Sequence, residues 1–157
     1  RPQRGPNPEV IGPATGQESP ADEGGPTGPE EARLTAAQRR WEATRPASNS
    51  YTMQQRVVCF CITGASAFQV TVTAGTITRA VNVTTGESMS VTLLTIFRTV
   101  DQLFAQAREG ITREGVVTSM AFDATLGYPT TLSLDPIRNA IDDEVTYVTS
   151  NLAPLAP

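Results

Sequence analysis

Between Tyr51 and Val83 the side chains alternate with a period of two. Tyr51, Met53, Gln55, Val57, Cys59 and Cys61 fall on one side of an extended chain, and Phe68, Val70 and Val72 take turns with Gln69, Thr71 and Thr73. Successive side chains of a strand point to opposite faces, so this pattern describes a sheet with one buried face and no continuous apolar helix. The same region holds 22 consecutive residues without a charge, Val57 to Thr78. That is long enough to span a bilayer, but Gly64, Gln69, Gly75 and the many threonines interrupt it, so no transmembrane segment is expected.

Ser50 to Ile62 is thus expected as a long strand. Phe68 to Thr73 and Ile77 to Val83 should follow as a hairpin about Ala74-Gly75, with Ile77, Val81 and Val83 on one face. Upstream, Leu34, Ala37, Gln38 and Trp41 recur at helical spacing within Glu30 to Arg45, and Pro46 ends that helix. Thr35-Ala36-Ala37-Gln38 has the form of a capping box. Thr99-Val100-Asp101-Gln102 has the same form and opens a second helix, whose stripe is Val100, Leu103, Phe104 and Ala107 and whose C-terminal cap is Gly110. Met89 to Leu94 is a short apolar segment. Val116 to Phe122, Thr130 to Leu134 and Val145 to Thr149 are the closing strands. The fold expected is α+β, in the order α-β-β-β-α-β-β-β: a curved antiparallel sheet of five to six strands with both helices on one face and the Thr-rich face partly exposed.

The remainder of the chain is different in kind. Residues 1–29 hold seven of the 12 prolines and six of the 12 glycines, with Val10 and Ile11 as the large aliphatics. Such a segment buries too little apolar surface to offset its ordering entropy, so it is expected as an extended tail ahead of a single domain over 30–157. Its order would come from lying along a partner, with Val10 and Ile11 as contacts.

The chemistry available is narrow. The 157 residues include no His, and all 12 basic residues are Arg, against 16 acidic ones. The usual general base and metal ligand, Schiff-base lysines and the P-loop lysine are missing, and the net charge of −4 argues against a nucleic-acid partner. No enzyme, cofactor or metal is expected. Cys59 and Cys61 stand at i and i+2, about 6.5–7 Å apart at Cα on a regular strand, at the limit of disulfide reach. A bridge at a bulge, a redox pair, a two-thiolate metal half-site and two packed thiols are all open to them. Asp135, Asp142, Asp143 and Glu144 gather four carboxylates without the spacing of a calcium loop. They read as turn and strand-approach residues, and Asp142, Asp143 and Glu144 also as an acidic contact for an Arg patch on a partner.

Three stretches together resemble a family of small secreted bacterial lipoproteins and envelope proteins that carry a domain of unknown function. They are Trp41 through Tyr51 to Cys59-Phe60-Cys61; Thr99-Val100-Asp101-Gln102-Leu103-Phe104; and Phe122-Asp123 with Leu126-Gly127-Tyr128-Pro129-Thr130 and Ile141-Asp142-Asp143-Glu144-Val145-Thr146-Tyr147. The resemblance covers residues 40–153. It implies an extracytoplasmic location, in a bacterial periplasm and peripheral to the membrane, and a small α+β domain, and it implies no activity. An oxidising compartment puts a disulfide ahead of the other readings of Cys59 and Cys61.

The function expected is a non-catalytic periplasmic accessory subunit that binds and stabilises a larger membrane-associated assembly, for instance a respiratory or photosynthetic one. Its partners would be proteins. The alternatives are a free lipoprotein-like protein that binds a ligand on the exposed sheet face, and a thiol redox protein built on Cys59 and Cys61.

Overall fold

The computed structural model describes residues 28–59, 65–113, 116–136 and 144–155. Backbone contacts divide the chain into Arg1–Arg33 and Leu34–Pro157. The first unit contributes only the opening of helix α1 to the described residues; every other element belongs to the second.

Helix α1 runs Gly28–Thr44, with Glu30 and Glu31 in its first turn, where carboxylates favour the positive end of the helix dipole. Thr35 to Gln38 therefore lies inside the helix and does not cap it. Gly28-Pro29 starts the helix earlier, because proline is already shaped for a first turn and lacks only an N–H that would be unpaired there. Leu34, Ala37 and Trp41 are the buried side chains of α1.

Strand β1 is Tyr51–Val58, with Cys59 in a bend beyond it, and residues 60–62 of the expected strand lie outside the described residues. Its buried row is Tyr51, Met53, Gln55 and Val57, and Val58 faces out. Strands β2 (Ala67–Thr73) and β3 (Thr76–Asn82) form the hairpin. Ala74 and Gly75 both have positive φ, 49° and 83°, as the tight two-residue turn of a right-twisted hairpin requires. The β3 face differs from expectation. The pairing jumps from Thr71↔Arg79 to Val72↔Ile77, so Thr78 is an extra residue. This bulge turns the rest of the strand over: Ala80, opposite Val70, joins Ile77 on the inner side, Val81 moves to the outer face, and Val83 lies beyond the strand, half exposed. The 86–89 segment folds back along β3, with Met89 N–H bonded to Ala80 O at 2.8 Å and Asn82 N–H to Glu87 O at 2.8 Å, which covers that sheet edge.

Val91–Ile96 is a 3₁₀ turn. Helix α2, Val100–Ile111, opens with the expected capping box: Thr99 accepts from Gln102 N–H, and the Gln102 side chain accepts from Thr99 N–H. Gly110 is not its cap, since the helix passes through it and ends at Thr112. A Cβ at Gly110 would stand 2.7 Å from Val117 Cγ2, so the glycine lets the following strand approach the helix.

Strands β4 (Val117–Phe122), β5 (Pro129–Leu134) and β6 (Val145–Pro154) complete a six-stranded antiparallel open sheet in the order β3-β2-β1-β6-β5-β4. β6 runs five residues past its expected end, to Pro154, because its second half pairs with β1, where Asn151 at φ 54° marks a register shift. Both helices cover the Tyr51 face. Trp41 of α1 meets the Tyr51 ring edge-on at 5.5 Å and 86°, and Val100 N–H of α2 donates to the Tyr51 hydroxyl at 3.0 Å. Phe97 packs on Phe68, and Phe104 stacks on Phe122. The element order and the α+β class are those expected.

Candidate functional site

The junction of β1, β6 and the start of α2 concentrates the buried polar chemistry. Gln55 is fully buried, and its amide does three things: Oε1 accepts from Arg98 N–H at 2.9 Å, while Nε2 donates to Arg98 O at 3.1 Å and to Thr149 Oγ1 at 3.0 Å. A primary amide matches a backbone peptide group donor for acceptor, so this side chain satisfies both backbone groups of Arg98 and fixes the chain entering α2. The signal was present in the sequence as one polar residue in the row Tyr51, Met53, Val57. Its partners, 43 and 94 residues away, were not.

Beside it, Asp101 in the first turn of α2 accepts from Trp41 Nε1–H at 3.1 Å and pairs with Arg45 at 3.4 Å, and Arg108 donates to Gln38 Oε1 at 2.7 Å. The Arg45–Asp101 pair is open to water and adds little stability. The indole bond orients Trp41. Burial pushes the Tyr51 hydroxyl up to about 12, with the Asp101 charge adding to the rise and the Val100 N–H opposing it. Tyr128 is also raised, first by burial and then by Asp123. Both phenols are held neutral. A proton that folding retains and unfolding releases makes stability fall as pH rises. The loss begins near the ordinary phenol value of about 10 and is complete as Tyr51 ionises in the folded state near 12. Urea midpoints measured at pH 9, 10 and 11 should decline accordingly, and the decline should shrink in Tyr51→Phe, which cannot ionise. An equal decline in both proteins would exclude Tyr51 as its source.

A groove of about 480 Å³ runs between the β2–β3 turn, the 3₁₀ turn and the start of α2. Its walls include Ile77, the exposed Val91, Thr95, Arg98 and Gln102. Arg98 donates to Thr95 O and Phe97 O and stands 5.7 Å above the Tyr147 ring, so its charge is largely engaged.

The remaining candidate residues are dispersed. Cys59 is disulfide-bonded and half-buried; Cys61 lies outside the described residues, as do Val10, Ile11, Asp142 and Asp143. Glu144 is exposed immediately before β6. Asp123 takes a structural role: its Oδ2 accepts from Thr125 and Leu126 N–H, and its backbone brackets Gly127 and Tyr128. Among the described residues no three metal-ligating side chains gather, and no helix is long and apolar enough to cross a membrane.

Leu126-Gly127-Tyr128-Pro129, Trp41 and the α2 capping box thus form one connected set that docks both helices on the sheet. A family of unknown function, DUF6174, matches residues 33–154, the stretch that carries all of them. The chain belongs to this family. No curated protein and no solved structure matches it. Within this DUF6174 domain, the residues most deeply tied together are those that hold the helices in place.

Proposed function

We propose that the protein is a non-catalytic accessory subunit of a larger membrane-associated assembly at the bacterial envelope, on its extracytoplasmic side. The carrying observation is where the polar chemistry goes. Gln55, Thr99 and Thr149, the buried polar residues among those described, are each hydrogen-bonded within the fold, and both raised tyrosines are held by backbone groups. These groups make a rigid scaffold, while one whole sheet face stays uncovered by either helix. In this reading the Pro/Gly-rich residues ahead of α1, 1–27 rather than the 1–29 expected from sequence, strap the domain to its partner, with Val10 and Ile11 as anchors, and Asp142, Asp143 and Glu144 offer carboxylates to a basic patch.

Gentle solubilisation of native membranes followed by size-exclusion and mass spectrometry should find the protein with partner proteins at fixed stoichiometry. Deleting residues 1–27, which stops short of α1, should move the melting temperature by no more than about 2 °C, since terminal segments add little to a domain core, and should weaken retention in the complex. A wild-type protein that elutes alone would sink the subunit reading. A second reading, a free ligand-binding protein, is favoured by the groove beside α2, whose volume falls within the range of small-molecule sites. It expects the protein alone with a small molecule retained.

A further inference from the structure

The six strands contain no Asp or Glu, although the chain carries 16 acidic residues. Their only charges are Arg56 in β1 and Arg79 in β3. Both are exposed, and both point to the face turned away from the helices: Arg56 alternates with buried Gln55 and Val57, and Arg79 pairs with Thr71 on the outer side of β2. Neither comes within ion-pair distance of a described acidic side chain.

The register sets their spacing. Thr52, Thr71 and Arg79 lie in one row across three strands, and Arg56 is four residues further along β1. Four residues of rise and two strand spacings separate the two Cα atoms by about 16 Å. Between them stand the cross-strand pairs Thr52–Thr71 and Gln54–Gln69, which offer hydroxyl and amide groups to a peptide surface. A guanidinium matches a carboxylate with two parallel hydrogen bonds.

The occupant follows from the charge count. Anionic membranes recruit clusters of about 4–8 basic residues, and nucleic-acid binders contact about 6–10 phosphates, so two arginines suit neither. A second copy docking face to face would bring together two sets of strands that carry arginines and no acids, with no charge complementarity between them. Resting on the subunit reading, we propose that the open sheet face is the docking surface for a protein partner that presents acidic side chains to Arg56 and Arg79, whose Cα atoms stand about 16 Å apart.

The test compares the R56E/R79E double variant with Arg39→Glu, an exposed charge on α1, each expressed in the native host and purified with its assembly. The double variant should recover about tenfold less partner, each tenfold being about 1.4 kcal/mol, and Arg39→Glu should match wild type. Melting curves should lie within about 2 °C of wild type, because both arginines are surface residues. If the double variant melts early, R56Q/R79Q takes its place with the same expectation. Full recovery with the folded double variant overturns the docking face and leaves the subunit reading standing. Equal loss in Arg39→Glu overturns it too, by removing its specificity. A wild-type protein without any partner fails the subunit reading, and this inference with it.

Discussion

Trp41→Ala should lower unfolding free energy by about 4 kcal/mol, a large fraction of what a domain of this size has in total. The side chain is 1% exposed. Truncation opens a cavity under α1, removes the edge-on contact with Tyr51 and leaves Asp101 without the indole donor. Trp41→Phe separates these terms. It keeps most of the apolar volume and loses the hydrogen bond to a half-exposed carboxylate, worth about 1 kcal/mol. Phe should therefore stand much closer to wild type than Ala. Trp41 is the only tryptophan, so unfolding of the variants must be followed by circular dichroism. An Ala variant less than about 2 kcal/mol below wild type would mean that α1 is only loosely docked.

The contrast between two similar motifs shows what a sequence can reveal here. Thr99 to Gln102 and Thr35 to Gln38 have the same capping form, yet only the first caps a helix. Gly28-Pro29 starts α1 seven residues earlier, and a local motif cannot compete with a helix already under way. Strand alternation located β1 and β2 to within a few residues because burial on one face enforces it. It failed on β3 because the Thr78 bulge shifts the register by one, and every later side chain changes face. Threonine carries no mark of a bulge. Gly110 lies near the helix end, as a cap would, but its role is to admit Val117, a tertiary contact that local sequence does not encode. At the junction, Gln55 was visible as a polar intruder in an apolar row. The acid-free composition of the strands was also legible residue by residue, but its meaning needed the register, which places Arg56 and Arg79 on one face.

Gly127→Ala should cost about 3 kcal/mol or more, through two separate mechanisms. The residue has φ 89°, where an L side chain is strained. A Cβ there would also stand 2.4 Å from Ala37 O, 2.8 Å from Trp41 N and 2.9 Å from Arg40 Cβ. Backbone atoms cannot swing aside as a flexible side chain can, so either α1 lifts from the loop or the loop leaves α1. Neither is free to move. The loop is pinned by Asp123 on both sides, and Thr44 Oγ1 donates to Leu126 O at 3.0 Å, joining it to the end of the helix. Strain must therefore reach Trp41 and, through its indole, the first turn of α2. Thr125→Ala, an exposed change in the same loop, should stay within about 0.5 kcal/mol of wild type. In Gly127→Ala the fluorescence of Trp41 should shift to longer wavelength before global unfolding, as α1 loosens and the indole meets water. If Gly127→Ala unfolds at the wild-type urea midpoint with unchanged fluorescence, the close seating of this loop on α1 is wrong.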